Sequence, residues 1–181
     1  LGLTPGEYLT VIARAEPENS LLEIVQGFSA KPRGKQLVVL GNYREDNSYH
    51  RAVRAAANAE VRFVGAIYEK SVVQALRFHS LAYVHGHRVG GTNPSLVEAL
   101  GAGNAVIAHD NRFNRWVAGD GAVYFEGAKG FAQEMNAIQE KPGLLAELRK
   151  HGQQRFQAAF TWPDVLGQYK SLLESFLPAD N

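Results

Sequence analysis

Six short β-branched or apolar runs, alternating with stretches of helical spacing, predict an α/β domain with a doubly wound parallel sheet of about six strands and helices on both faces. Three observations carry that expectation. The runs are bounded by polar and glycine-rich segments, the stretches between them repeat apolar residues three and four apart, and after Gly127 the strands stop and only helical patterns follow.

In chain order, Tyr8 to Ala13 predicts the first strand. Leu21, Leu22, Val25 and Phe28 then mark a helix, with Pro17 suited to its first turn and Asn19 or Ser20 assisting its start. Strands are predicted at Gln36 to Gly41, Val61 to Gly65, Leu81 to His85, Ala105 to Ala108 and Ala122 to Phe125. Helical faces lie between them at Val53, Ala56 and Ala57, at Val72, Val73, Leu76 and Phe78, and at Leu96, Val97 and Leu100. Gly27, Gly101 and Gly103 mark helix ends or close packing. Phe131, Met135 and Ile138 predict a further helix, Pro142 starts another, and Thr161-Trp162-Pro163-Asp164 introduces a last one. Its apolar face is Val165, Leu166, Tyr169, Leu172, Leu173, Phe176 and Leu177, expected to pack in the core or between domains. The predicted organisation is a linker over 1–7 that looks cut from something longer, one α/β domain over 8–159, and a helical tail over 160–181.

A chain of 181 residues can remove about 70% of its unfolded surface from water, enough for a sizeable core. The net charge of +1 gives no broad field for nucleic acid, so any anion binding must be local. No apolar run approaches the roughly 20 residues of a membrane span, and Leu1-Gly2-Leu3-Thr4-Pro5-Gly6 has no signal-peptide character, which points to a cytoplasmic location. Zero cysteines exclude disulfides, thiol catalysis and cysteine-ligated zinc.

The most informative stretch runs from His85 to Gly103. In open parallel sheets ligands bind beyond the carboxyl ends of the strands, and the strand ending at His85 delivers the chain there just before Gly90-Gly91. Two glycines admit close backbone approach, and Pro94 suits a helix start continuing from Ser95 to Gly103. Free amides at that start are expected to hold phosphate oxygens. The helix end carries about half a positive charge, so a cation should converge on it; Arg14, at the end of the first strand, is the candidate, against a simple pairing with Glu16. Glu98 lies about one turn into the helix, within reach of ribose hydroxyls.

These residues resemble the C-terminal donor domain of a retaining glycosyltransferase of the GT-B fold, family 4 or group 1, over nearly the whole chain. The likeness rests on Ala82 to Asp110, which includes Leu96-Val97-Glu98-Ala99-Leu100-Gly101-Ala102-Gly103 and Ala105-Val106-Ile107-Ala108-His109-Asp110, and on Tyr8 to Arg14 and Phe160-Thr161-Trp162. It implies that 8–159 is a Rossmann-like nucleotide-sugar-binding domain in which Arg14 and Glu98 serve catalysis, that 1–7 is a linker from a missing N-terminal domain, and that 160–181 packs back toward that domain. Gly65, Ile67 and Tyr68 would then lie by the nucleobase, and His85, Gly90, Gly91, Thr92, Asn93, Pro94, Ser95 and Leu96 line the phosphates and sugar. The first of the family's paired glutamates falls at Gly90, and its usual lysine at Asn19. With Ala15 to Asn19, His85-Gly86-His87 and Val89 to Ser95, these departures resemble a bacterial branch of polysaccharide rhamnosyltransferases. That implies a nucleoside-diphosphate sugar donor such as dTDP-rhamnose, Thr92 and Asn93 near the sugar, and a glycan or lipid-linked acceptor reached through the missing domain. The full-length protein would act in the cytoplasm, at the inner face of the membrane.

No cofactor is implied. His85 and His87 alternate without a nearby third ligand, a poor metal site, and no Asp-x-Asp motif is present. His87 reads as a structural hydrogen-bond donor. Lys31, Arg33 and Lys35 read as a solvated loop, and Tyr8, Trp116 and Trp162 as packing residues. Two rival readings are a nicotinamide-dependent oxidoreductase, which lacks Gly-x-Gly-x-x-Gly after the first strand, and a noncatalytic interaction domain docking through the last helix.

Overall fold

The structure, a computed structural model, describes residues 1–176, apart from the side chain of Pro142. Its six strands are β1 (Tyr8–Ile12), β2 (Gln36–Leu40), β3 (Val61–Gly65), β4 (Ala82–His85), β5 (Ala105–His109) and β6 (Ala122–Phe125). They form one parallel sheet in the order β3-β2-β1-β4-β5-β6. The order reverses between β1 and β4, so the connections leaving their carboxyl ends diverge to opposite faces and open a crevice between them.

The helices are α1 (Leu21–Ser29), α2 (Ser48–Ala55), α3 (Lys70–Phe78), α4 (Pro94–Gly101), α5 (Arg112–Ala118), α6 (Gly127–Glu140), α7 (Pro142–Ala159) and α8 (Trp162–Glu174). Alternate strand residues face opposite sides of the sheet. Leu9, Val11, Leu37, Val39, Val84 and Ile107 pack against α1 and α6, through Ile24, Phe28, Phe131 and Met135. Tyr83, Val106 and Ala108 pack against α4 and α5 on the other face, while Val38 and Leu40 meet Leu76 of α3. Both faces are covered, which is why the strands read as continuous apolar runs rather than as an alternation. Gly27 allows the closest helix contact, since a Cβ there would lie 2.3 Å from the Ala128 carbonyl oxygen in α6.

Several expectations need correction. Pro17–Asn19 forms a separate 3-10 turn ahead of α1, and Ser20 reverses the chain with φ 51°. The α4 helix ends at Gly101 rather than Gly103, whose φ of +75° lies beyond helical geometry. The α5 helix is absent from the sequence reading: at two turns it is too short to show a period, although Asn111 caps it by accepting from the Phe113 and Asn114 amides.

Arg33 is buried, not solvated. Its guanidinium donates to the Gly27 and Phe28 carbonyls at 2.9 and 3.1 Å, closing the end of α1, and to Asn136 Oδ1 of α6 at 2.6 Å. Tyr8 is buried as expected, but Trp162 is 76% exposed. Trp116 is also largely exposed, edge-on to Phe160 and beneath the Arg155 guanidinium. Phe78 is 70% exposed, so it does not belong to the buried face of α3. The apolar face of α8 is not core: Leu166, Tyr169, Leu172, Leu173 and Phe176 are all exposed, and Leu177 lies outside the described residues. Among the described residues no helix is long and apolar enough to cross a membrane.

Replacing Arg33 by alanine removes three charge-assisted hydrogen bonds that join α1 to α6. Urea denaturation should show a loss on the order of 2–3 kcal/mol. A change below about 0.5 kcal/mol, as for an ordinary surface residue, would contradict this role.

Candidate functional site

A cleft of about 190 Å³ lies beyond the carboxyl ends of β1 and β4, where the strand order reverses. Ile12, Ala13, Arg14 and Asn19 line one side and Val84, His85, Gly86, His87, Asn93 and Ser95 the other. A larger apolar hollow of about 460 Å³ sits at the opposite edge of the sheet, between residues 1–5 and α3, and gathers few polar groups.

Asn19 joins the two sides. Its Nδ2 donates to the Arg14 carbonyl at 2.9 Å, and its Oδ1 meets His87 Nδ1. Its own carbonyl oxygen abuts Gly86 so closely that a Cβ on Gly86 would lie 2.1 Å away. The Arg88 amide donates to the Glu18 carbonyl at 2.9 Å, completing the junction. From the β5 side, Asn111 and Asn114 each donate to the His87 carbonyl at 2.9 Å. The loop after β4 is thus held from both neighbouring strands up to residue 88.

Beyond that point the backbone is open. Among the described residues, the amides of Val89, Gly90, Gly91, Thr92 and Asn93 have no protein acceptor, and all but Asn93 are exposed. Gly90 adopts φ +98°, a conformation that favours glycine. The expectation that the helix's own first amides are free is corrected. Asn93 caps α4: its Oδ1 takes the Ser95 amide at 3.0 Å, and its carbonyl takes those of Leu96 and Val97 at 3.1 and 3.2 Å. Pro94 has no N–H, so the unpaired donors belong to the loop.

Arg14 lines the cleft with its side chain 79% exposed and pairs with Glu18 at 3.2 Å rather than with Glu16. His85 is its opposite. The ring is buried, lies alongside Tyr83, and has no partner for Nε2 among the described residues. Burial foremost, with the neighbouring His87 adding to it, pushes its pKa down to about 3, so it stays uncharged near neutrality.

Glu98 is not among the residues lining the cleft. Its carboxylate accepts from Arg77 at 2.7 Å, and the buried Arg77 guanidinium also lies 5.8 Å from the centre of the Tyr83 ring. Leu96 is fully buried in the core, where it anchors the start of α4 rather than touching the cleft. Gly65 ends β3 with φ +75°, Ile67 packs in the cluster around Tyr8 and Leu76, and Tyr68 is 84% exposed. β3, which Gly65 ends, stands two strand spacings from β1, about 10 Å.

Sequence reasoning missed Arg77, Gly86, Asn111 and Asn114. A polar residue directly before an apolar run was the available signal for Asn111, as an N-cap. Nothing in the local pattern separates Arg77 from a solvated arginine at a helix end.

A family model described as glycosyl transferase-like matches residues 19–171. No curated protein matches the chain. Solved structures do: sucrose-phosphate synthase from Thermosynechococcus elongatus is 20% identical over 96% of this chain and 46% of its own, with a TM-score of 0.79. Anabaena HepE, solved with UDP, is 14% identical over 95% of this chain and 50% of its own, at 0.81. The C-terminal domain of a group 1 glycosyl transferase family protein, LpcC, from Francisella tularensis is 16% identical over 88% of this chain and 89% of its own, at 0.71. At these identities the likeness establishes a shared fold, and the chain spans about half the length of the first two.

Gly86→Ala tests the contact on which the cleft is built. Because the obstructing atom is backbone, the loops must part, at a cost of about 1–3 kcal/mol in a urea unfolding experiment. An unchanged midpoint would mean that they do not touch.

Proposed function

The chain belongs to the glycosyl transferase-like family, and from that premise we propose that it is the half of a glycosyltransferase that binds the nucleotide-sugar donor. One observation carries the reading: an open cleft at the reversal of strand order, lined by Arg14 and Asn93, with the unpaired, exposed backbone of residues 89–92 leading into it along the chain. The UDP bound to the HepE structure supports a nucleoside diphosphate as the occupant.

In this reading the amides of Gly90, Gly91, Thr92 and Asn93 hold the phosphates, and the Ser95 hydroxyl adds a donor. Pro94 and Leu96 fix the start of the helix behind them. Arg14 exchanges Glu18 for a phosphate oxygen. An exposed ion pair contributes about 0–1 kcal/mol, whereas a charge-assisted bond to a held anion contributes about 1.5–3 kcal/mol, so the exchange is downhill. Charge on the leaving diphosphate is met by these groups without a divalent metal.

Glu98, oriented by Arg77, accepts from the ribose hydroxyls. The base lies toward Gly65 and Ile67, with the exposed Tyr68 ring as its stacking surface. His85, Thr92 and Asn93 face the sugar. Asn93 has spent its oxygen on the Ser95 amide, so it offers the sugar an NH₂ group, and Thr92 a hydroxyl, in place of a carboxylate. Losing a strong acceptor favours a sugar with one hydroxyl fewer, in keeping with a hexosyl or deoxyhexosyl donor such as dTDP-rhamnose. The acceptor, a glycan or lipid-linked glycan of bacterial polysaccharide synthesis, binds to an N-terminal half outside these residues, against which the apolar face of α8 docks. No observation favours the oxidoreductase reading.

Calorimetric titration of the chain with UDP and with dTDP-rhamnose should give saturable binding without turnover, and no heat at millimolar ligand would contradict the proposal. Arg14→Ala should weaken binding roughly tenfold to a hundredfold, about 1.4–2.8 kcal/mol. An unchanged affinity would remove Arg14 from the site.

A further inference from the structure

His87 lies on the same cleft as His85, and its ring is oriented by an amide whose own orientation is fixed. Asn19 Nδ2 donates to the Arg14 carbonyl, so Oδ1 is the atom turned to His87 Nδ1. An amide oxygen only accepts, and Nδ1 therefore carries the hydrogen. In the neutral ring the other nitrogen, Nε2, is then a bare lone pair. It has no protein partner among the described residues, and a Cβ on Gly90 would lie 3.7 Å from it. A lone pair beside Gly90, in the cleft that Asn93 also lines, opposes an anion there. A protonated Nε2 favours one.

We infer that His87 is a proton-linked phosphate contact: when a diphosphate settles on the Gly90 to Asn93 amides, Nε2 takes one proton from solvent and donates a charged hydrogen bond to a phosphate oxygen. This rests on the donor-binding reading above. The Nδ1 hydrogen stays with Asn19, and no other covalent bond changes.

The groups around His87 leave it as the site of uptake. On its own segment, His85 is held neutral by burial, and Arg88 is occupied by Glu23 and by Ser20 Oγ. From the β1 side come Arg14 and Glu18, paired with each other. From the β5 side, His109 is pushed toward its neutral form by burial and by Arg88, and Asp110 is paired with Arg115. Asn19 itself carries no charge, so the proton supplies a second cation beside Arg14 when the phosphates arrive.

The sign follows directly. Proton uptake on binding makes affinity fall as pH rises, by up to about tenfold per pH unit. The experiment is calorimetry of this chain with UDP at pH 7.5, where the terminal phosphate, with a pKa near 6, is already largely ionised. It is run in two buffers of unequal ionisation enthalpy, PIPES and Tris. The observed enthalpy should differ between buffers by an amount equal to uptake of a large part of one proton. In His87→Gln that difference should vanish and affinity should drop. In His87→Lys affinity should be retained across pH 7–9 with no buffer dependence. Equal enthalpies in both buffers for the unmodified chain, or a difference that persists in His87→Gln, would overturn the inference while leaving donor binding intact. Absence of UDP binding by the unmodified chain would overturn both.

Discussion

The geometry at the carboxyl edge of the sheet depends on Asn19, a neutral, buried side chain that ties the loop after β1 to the loop after β4. Parallel strands on either side of a reversal in strand order send their connections to opposite faces, and without a tie the two loops would have only solvent between them. Asn19 supplies one donor and one acceptor across that gap, and its carbonyl packs on Gly86. The preceding turn, set by Pro17, and the reversal at Ser20 deliver it there before α1 begins. A lysine at this position would bring charge; an asparagine brings a fixed distance and a fixed imidazole tautomer.

The site therefore divides into parts that are held and parts that are free to move. Asn93 gives its side-chain oxygen, and Asn111 and Asn114 their side-chain NH₂ groups, to backbone partners, which fixes the start of α4 and the carbonyl of His87. The exposed amides of residues 89–92 and the Arg14 guanidinium have nothing, or only a solvated partner, to give up. Ordering the scaffold before a ligand arrives reduces the entropy lost on binding, and a weak surface ion pair costs little to exchange. A near-neutral chain can in this way present a local anion site without a basic surface.

How much of this was legible in the sequence depends on the range of the interaction. The strands were found within one residue at their ends, because a sheet covered on both faces demands unbroken apolar runs such as Leu37 to Leu40. The Gly90-Gly91 turn and the start of α4 at Pro94 were legible because they are properties of consecutive residues. Arg33, Arg77 and Asn114 were not, since each acts across the fold on partners distant in sequence. A charged side chain at a helix end carries the same local signature whether it is solvated or buried. The capping of the Ser95 amide by Asn93 is hidden for a related reason: an asparagine before a helix has the same local signature whether its oxygen caps an amide or meets a ligand. The apolar stripe of α8 was visible, but periodicity alone does not say whether an apolar face meets the core or stays exposed.

The central claim is that the open backbone between β4 and α4 grips a diphosphate. Backbone amide chemical shifts of the isotopically labelled chain, followed by NMR as UDP is added, test it most directly. Saturable shifts of the Gly90, Gly91, Thr92 and Asn93 amides, with the amides of α8 unmoved, are the result this account requires. Shifts confined to other parts of the molecule, with those four amides unchanged at saturation, would contradict it.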